Sequence, residues 1–390
     1  NNLHVLIEST CNQVNQFGGY TGMKPIDFAN FMKDMALRLG FPQEQLILGG
    51  DHLGPNVWQD ESAEIAMAKS IKLVQDYVAA GYTKIHLDAS MKLGGDPPGP
   101  LRVDVVGARA AQLAKVAEEA FLDNYSSSKR VFAPRYVIGT EVPIAGGAQR
   151  AEDGLTLTTR QGVEETIRET KNAFFSRGLE SAWNRVVAVV VQPGVEFGDS
   201  YVHEYDRSKA SELSNFIGNQ ALVYEAHSTD YQTKDSLRKM IEDHFAILKV
   251  GPALTFSYRE AIFSLAMMEN ELFSSAERSN IIFVLEKVMF EHPKHWRNYY
   301  RGDKSSQAFA LKYSFSDRVR YYWTRPKVQV ALEKMFKNLV KKPLPLSLLS
   351  QFMPKEFQKV RDKEISNTPW EIIVSKIDSV IKNYTWATQR

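Results

Sequence analysis

Residues 46–52 read Leu46-Ile47-Leu48-Gly49-Gly50-Asp51-His52, an apolar run that ends in two ionisable side chains. Continuous Val, Ile and Leu runs are typical of parallel strands buried on both faces. Polar groups at the carboxyl ends of such strands are typical of an active site at the mouth of a (β/α) barrel. The pattern therefore predicts an α/β fold with an enzyme-like mouth. Six further runs share this design and end at Glu8, Asp88, Glu141, Gln192, Glu225-Ala226-His227 and Lys249.

Helical patterns lie between these runs and predict right-handed βαβ units on a parallel sheet. Seven strands are one short of a TIM-type (β/α)8 barrel, and we expect the missing first strand to lie before Asn1. The first and last strands should then flank a gap whose unpaired backbone groups need cover. The predicted helices cover residues 25–39, 63–80, 105–121, 163–178, 208–217 and 233–244. The predicted strands begin at Val5, Leu46, Lys84, Arg135, Val186, Leu222 and Ala246.

The alternation ends near residue 257, so we expect a barrel over residues 1–256 and a helical extension over residues 257–390. Helical spacing of apolar residues recurs in the extension at 258–273, 281–290, 307–322, 328–340 and 370–384. Tyr and Trp residues concentrate there. They indicate either helices packed on the barrel or a surface for an oligomer or partner, since both residue types are enriched at interfaces.

The composition excludes several classes of function. The 390 residues carry a formal net charge of +2, and charges of both signs are scattered along the chain. The sequence therefore has no basic stripe of the kind that binds nucleic acid. No apolar run approaches the roughly 18–20 residues of a membrane span. The single cysteine, Cys11, rules out an intramolecular disulfide and fits a reducing compartment, which predicts a cytoplasmic location.

Many short motifs resemble the tagatose-bisphosphate aldolase Z-subunit family, and the resemblance covers nearly the whole chain. One departure is Ala108, in Val106-Gly-Ala-Arg-Ala-Ala111, where the family tends to carry a glutamate. The most specific matches are Gly49-Gly-Asp-His-Leu-Gly-Pro-Asn56, Lys84-Ile-His-Leu-Asp-Ala-Ser-Met91, Val191-Gln-Pro-Gly-Val-Glu-Phe197, Tyr224-Glu-Ala-His-Ser-Thr-Asp-Tyr-Gln-Thr233 and Leu248-Lys-Val-Gly-Pro-Ala-Leu-Thr255.

This resemblance implies a barrel related to metal-dependent class II aldolases, working in galactitol, tagatose or amino-sugar catabolism. It implies a subunit that supports the activity and stability of a separate catalytic class II aldolase subunit. The alternative is a metal-dependent ketose 4-epimerase that acts on tagatose 6-phosphate by retro-aldol cleavage and re-addition. Whether the chain is catalytic alone, or forms a homo-oligomer, stays open. No Gly-x4-Gly-Lys-Ser/Thr loop supports a kinase.

The implied cofactor is a divalent metal, with Zn²⁺ as the first choice. In class II aldolases a similar Asp-His pair binds the metal through the histidine and moves protons through the aspartate, which assigns these roles to His52 and Asp51. His227 and Glu141, at other strand ends, would complete a common open zinc site of two histidines and a carboxylate. A hydrogen-bonded support role is the alternative for each residue, and the sequence does not decide which three bind metal.

Further candidates follow from strand position. His86 and Asp88 share a strand face by the two-residue period, and Asp88, nearer the carboxyl end, is the better acid/base candidate. His86 should lie deeper and act structurally. Lys249 would either neutralise a phosphate near the final strand or pair with a buried carboxylate. The predicted substrate-binding residues are Asn12, Gln13, Gln192, Ser228 and Lys249.

Overall fold

The computed structural model describes residues 4–125, 132–140 and 155–389. The strands within these ranges are β1 (Val5–Thr10), β2 (Leu46–Leu53), β3 (Lys84–Leu87), β4 (Arg135–Ile138), β5 (Val186–Val191), β6 (Glu196–Phe197), β7 (Val202–His203), β8 (Val223–Ala226) and β9 (Phe245–Leu248). Seven of them form a parallel sheet at the centre of the molecule, in the order β1-β2-β3-β4-β5-β8-β9. A separate antiparallel hairpin of β6 and β7 was not predicted.

The predicted strand starts at residues 5, 46, 84, 135 and 186 are confirmed. Strand β8 begins one residue later than predicted and β9 one residue earlier. Neighbouring strands of the sheet all pair in parallel, as the alternation with helices requires.

Helices follow the strands and cover the outer face of the sheet. These outer helices are α1 (Pro25–Arg38), α2 (Ala63–Ala79), α3 (Val103–Tyr125), α4 (Arg160–Phe175), α5 (Glu180–Trp183), α6 (Arg207–Ile217) and α7 (Lys234–Glu242). Ser62, Thr159 and Thr233 each accept a hydrogen bond from the third backbone N–H of the helix that they precede, which fixes where α2, α4 and α7 begin.

The remaining helices form a region with its own hydrophobic core, which includes Ile262, Leu285 and Met335. They are α8 (Pro252–Leu272), α9 (Ile281–Glu291), α10 (Lys304–Tyr313), α11 (Pro326–Lys341), α12 (Leu346–Phe352), α13 (Pro354–Arg361) and α14 (Pro369–Thr388). Short 3₁₀ turns lie at Gln43–Gln45, Pro55–Trp58, Pro293–His295 and Arg318–Tyr321. No helix of the described residues is long and apolar enough to cross a membrane.

The prediction of one helix over residues 307–322 is wrong. Helix α10 ends at Tyr313, and a 3₁₀ turn at Arg318–Tyr321 follows it. Asp317 has φ 44°, a left-handed conformation that no α-helix accommodates. The chain therefore turns at Asp317 and leaves the direction of α10.

The sheet curls so that one face of every strand points inward. Val137 of β4 with Ala188 and Val190 of β5 form a small apolar cluster on this inner face. Elsewhere the inner face is polar. Glu8 of β1 contacts Lys249, which directly follows β9, so the two edge strands of the sheet approach each other across the interior. Gly49 of β2 makes room for this carboxylate, because a Cβ there would lie 2.6 Å from Glu8 Oε1.

Candidate functional site

Three histidines converge inside the curled sheet: His52 of β2, His86 of β3 and His227, which directly follows β8. The ring centroid of His52 lies 5.2 Å from that of His86 and 5.1 Å from that of His227, and the last two rings are 5.5 Å apart. All three side chains are buried. The carboxyl ends of parallel strands meet at one rim of the sheet, which is why residues far apart in sequence come together here.

Asp51 and His52 both reach this centre because β2 is irregular. Adjacent residues of a regular strand point to opposite faces of the sheet. The register of β2 against β3 shifts between Gly50 and Leu53, and His52 has φ 50°. Left-handed backbone in a non-glycine residue is strained, and such strain concentrates at functional sites. The irregularity turns both side chains towards the interior.

Four buried residues present ligand atoms that all lie within 4.8 Å of one another: Asp51, His86, Glu225 and His227. His86 Nδ1 lies 2.9 Å from Asp51 Oδ1 and 3.3 Å from the backbone nitrogen of His52. One ring nitrogen cannot accept a hydrogen bond from that amide and donate one to the carboxylate at the same time. If Nδ1 donates to Asp51, the lone pair of Nε2 is left to bind a cation. The buried His86 Nε2 has no hydrogen-bond partner among the described residues.

Two lysines cross the interior beneath this group. Lys84 Nζ lies 2.6 Å from both Glu8 Oε1 and Glu225 Oε2, and so links β1, β3 and β8. Lys249 Nζ contacts Glu8 and lies 3.0 Å from Asp51 Oδ1. Buried charges are tolerated only when they are paired, and these contacts supply the pairing.

The cluster nevertheless contains more carboxylates than lysines. Burial disfavours the charged imidazole of His52, but Asp51 and Asp88 outweigh burial and raise the pKa of His52 to about 9. Burial likewise opposes ionisation of Asp51, yet the neighbouring histidines hold its pKa well below its usual range. Four carboxylates, Glu8, Asp51, Asp88 and Glu225, face two lysines, Lys84 and Lys249, and the imidazole of His52. Burial lowers the pKa of Lys249.

A cavity of about 650 Å³ opens above the cluster, within the range of small-molecule sites. Asp51, His52 and His227 form part of its lining. Asp230 lines it too and accepts hydrogen bonds from the backbone nitrogens of Gly251 (2.9 Å) and Ala253 (2.8 Å). Burial raises the pKa of Asp230 to about 6, against the opposing effect of these hydrogen bonds.

Most predicted site residues meet at this cavity. Asp51, His52, His227 and Lys249 belong to the buried cluster, and Asn12, Gln13 and Ser228 line the cavity around it. Lys249 contacts Glu8 and Asp51, as expected if it pairs with buried carboxylates. Its role as a phosphate ligand stays a prediction.

Two predicted residues, Gln192 and Asp88, stand apart from the cavity lining. Gln192 turns to its own loop, where its Oε1 accepts from the backbone nitrogen of Gly194 at 2.9 Å. Asp88 accepts from His52 Nδ1 at 2.7 Å and from the Ser90 hydroxyl at 2.6 Å, contacts that orient His52. Its acid/base role stays a prediction. Glu141 lies outside the described residues.

The sequence interpretation did not assign Glu8, Lys84 or Glu225 to the site and gave His86 a structural role. The structure places His86 in the four-residue group, while His52 Nδ1 is occupied by Asp88. A signal was present in the two-residue spacing. Lys84 with His86, and Glu225 with His227, share the inner face of β3 and β8, as the strand period requires.

Comparison with known proteins gives consistent matches over the full length. A family model described as D-tagatose-1,6-bisphosphate aldolase subunit GatZ/KbaZ-like matches residues 1–389. The D-tagatose-1,6-bisphosphate aldolase subunit GatZ of Salmonella dublin is 50% identical over 380 residues, covering 97% of this chain and 88% of the relative. The protein of the same name from Klebsiella pneumoniae subsp. pneumoniae is 49% identical over 385 residues, covering 99% and 90%.

Among solved structures, a probable tagatose 6 phosphate kinase from Sinorhizobium meliloti 1021 superposes with a TM-score of 0.90. It is 43% identical, and the match covers 99% of this chain and 94% of that one. The fold described above is therefore shared by a chain of nearly the same extent.

Proposed function

The chain belongs to the D-tagatose-1,6-bisphosphate aldolase subunit GatZ/KbaZ-like family, and on that premise we propose that it is the Z-type subunit of such an aldolase. Its role would be to support the activity and stability of a catalytic class II aldolase subunit in galactitol, tagatose or amino-sugar catabolism. The observation that carries this proposal is the 50% identity, over 97% of the chain, to a subunit of that name.

We expect the chain to raise both the activity and the thermal midpoint of the catalytic class II aldolase subunit when the two are co-expressed. A partner present at about 100 times its Kd stabilises a protein by about 2.7 kcal/mol, because it binds only the folded state. Aldolase rate and thermal unfolding, measured with and without this chain, test the expectation. An unchanged rate and midpoint would contradict it.

The His52→Ala/His227→Ala double variant tests whether support of the aldolase requires the buried histidines. A contact surface does not need the buried histidines, so the folded double variant should support the aldolase nearly as well as the wild type. Loss of support in a double variant that remains folded would instead give the cavity a direct part in the aldolase reaction.

A second candidate is a metal-dependent 4-epimerase of a ketose phosphate such as tagatose 6-phosphate. The observation that favours it is the buried group of Asp51, His86, Glu225 and His227. Two of its members, Asp51 and His227, line a ligand-sized cavity. A surface that only binds a partner has no use for buried ligand atoms that keep a negative charge. We propose that these four residues hold a divalent cation, with zinc as the first choice because imidazole and carboxylate ligands suit it.

When bound, the cation would polarise the ketose carbonyl and stabilise the negative charge that develops on its oxygen. The residues of the chain would supply the proton movements. Breaking the C3–C4 bond requires a base for the C4 hydroxyl, and Asp51 lines the cavity in an ionised form. His52 lies beside it, with its Nε2 3.6 Å from Asp51 Oδ2, and Asp88 fixes its ring. After the aldehyde turns, C3 would add to its other face, and the proton held by Asp51 would return to the C4 oxygen, which completes the epimerisation.

We expect the purified chain to convert tagatose 6-phosphate to fructose 6-phosphate in the presence of Zn²⁺, Mn²⁺ or Ni²⁺. Asp51→Asn should lower kcat about 10²–10⁴-fold, the usual contribution of a general acid or base. Asp76→Asn, at a helix-surface position, is the matched control and should keep the wild-type rate. Absence of conversion with all three metals would leave the aldolase-subunit function as the surviving proposal.

We also propose that the curled sheet is a TIM-type (β/α)8 barrel over residues 1–256, with residues 257–390 as its helical extension. One of the eight strand positions, between β9 and β1, is not filled by the described residues. The partial exposure of these two strands supports this: Val5 and Leu6 of β1 are 38% and 37% exposed, whereas every residue of β3 is buried. An open edge of this kind needs cover.

A further inference from the structure

The cavity has a second wall, which comes from the C-terminal helical region and is basic. Lys294, Arg318 and Arg320 line the same cavity as Asp51 and His227. The inner cluster carries an excess of carboxylates, so the two parts of the cavity differ in the sign of their charge. A ligand that fits both parts of the cavity would carry an anionic group at one end, and at the other end neutral oxygens able to bind a metal ion.

Arg320 is oriented by neutral oxygens. Its Nη1 donates to the backbone carbonyls of Ser316 (2.5 Å) and Asp317 (3.1 Å), and its Nη2 donates to the hydroxyl of Tyr321 (3.1 Å). No carboxylate oxygen of the described residues lies within 4.0 Å of its guanidinium, in contrast to Lys249 on the inner cluster. Its position is thus fixed while its charge keeps no close counter-ion from this part of the chain.

The segment that carries Arg320 is held in place by contacts with α8 and Tyr300. The buried Asp317 pairs with Arg259 Nε of α8 at 3.0 Å and accepts a hydrogen bond from the hydroxyl of Thr255 at 2.5 Å. Tyr300 Oη accepts from the backbone nitrogen of Arg318 at 3.1 Å. These contacts are buried, so the turn is a rigid support and not a loose loop.

Aromatic contacts tie the wall to the first loop of the sheet. The ring of Tyr321 stacks on His295 with centroids 4.6 Å apart, and Tyr20, from the loop after β1, packs edge-on against Tyr321 at 4.9 Å. Arg318 lies over the ring of Tyr299, with Cζ 3.2 Å from its centroid. Guanidinium groups held by aromatic faces are well suited to bind phosphate, because their planar donors stay in one orientation.

We propose that Arg320, with Arg318 and Lys294, binds the phosphate monoester of a phosphorylated ketose, whose carbonyl end then faces the Asp51–His227 cluster. The identity of the sugar rests on the proposed function, whereas the anion site rests on the wall itself. Lys249 is the less suitable phosphate ligand, since Glu8 and Asp51 already contact it. The carboxylates of the inner cluster would repel a phosphate and so orient the ligand.

Isothermal titration of the purified chain with inorganic phosphate, fructose 6-phosphate and fructose tests this proposal. We expect fructose 6-phosphate to bind more tightly than phosphate, and fructose to bind at least 10-fold more weakly than its phosphate ester. Arg320→Gln should weaken both phosphate ligands at least 10-fold, because a charged hydrogen-bond donor is lost. Arg297→Gln changes an exposed arginine outside the cavity lining and should leave both affinities unchanged.

Two further variants keep the result interpretable. Lys294 is exposed, so Lys294→Gln cannot disturb the core, and it should weaken phosphate binding about threefold even if Arg320→Gln fails to fold. Asp51→Asn should not weaken the binding of inorganic phosphate, which separates the wall from the inner cluster. Equal binding of phosphate by wild type, Arg320→Gln and Lys294→Gln would overturn the proposal, as would binding of inorganic phosphate without binding of fructose 6-phosphate.

The anion site and the proposed function can fail separately in these experiments. Phosphate binding lost in Arg320→Gln, together with no aldolase support and no epimerisation, would retain the anion site and remove the proposed function. Aldolase support or epimerisation by a chain whose wall variants bind phosphate like wild type would do the reverse.

Discussion

Replacing Lys84 with Met should lower the free energy of unfolding by about 3–5 kcal/mol, the usual cost of breaking a buried ion pair by removing one partner. Lys84 is 5% exposed and its ammonium lies 2.6 Å from carboxylate oxygens of both Glu8 and Glu225. Methionine fills a similar volume, so little of the loss should come from a cavity. The destabilisation should arise from two buried carboxylates that lose a shared counter-ion.

Urea denaturation followed by tryptophan fluorescence measures this change, and Lys72→Met is its control. Lys72 pairs with Asp76 on the surface of α2, and its side chain is 59% exposed. Surface pairs of this kind contribute only about 0.3–0.5 kcal/mol. A loss below about 1 kcal/mol in Lys84→Met would mean that Glu8 and Glu225 do not depend on the lysine for their charge balance.

The strands were predictable from the sequence because each is a short apolar run with a two-residue period. That period also explains the inner face: Lys84 and His86 point inward together, as do Glu225 and His227. The position of His52 was not predictable in the same way. Regular alternation would direct Asp51 and His52 to opposite faces, and only the irregularity of β2, with φ 50° at His52, brings both inside. Such strain depends on contacts distant in sequence.

The basic wall of Lys294, Arg318 and Arg320 was also not predictable from the sequence, because it depends on a contact distant in sequence. Apolar spacing over residues 307–322 predicts a single helix, which would have kept Arg318 and Arg320 on a helix surface. The chain instead turns at Asp317, whose carboxylate is held by Arg259 of α8. A buried ion pair between residues 58 positions apart leaves no local signal in the sequence. The break in the helix is what places Arg320 at the cavity.

Sequence and structure favour different histidines as metal ligands, and a set of alanine variants separates them. If Asp51, His86, Glu225 and His227 hold the cation, His86→Ala and His227→Ala should weaken Zn²⁺ binding more than about 100-fold. Even changes to residues behind the ligands cost roughly 10–100-fold in metal affinity. His52 is held by Asp88 and would act from behind Asp51, so His52→Ala should fall within that smaller range.

Calorimetric titration of the EDTA-treated chain with Zn²⁺ measures these affinities, and His203→Ala, at an exposed position in β7, is the matched control. Thermal unfolding gives an independent readout, because a ligand at about 1,000 times its Kd stabilises the folded state by about 4.1 kcal/mol. Removal of the metal should therefore lower the midpoint of the wild type and leave that of His86→Ala almost unchanged. Retention of Zn²⁺ by His86→Ala and its loss in His52→Ala would instead make His52 the ligand. His86 would then be a structural residue whose contact with Asp51 only supports the site.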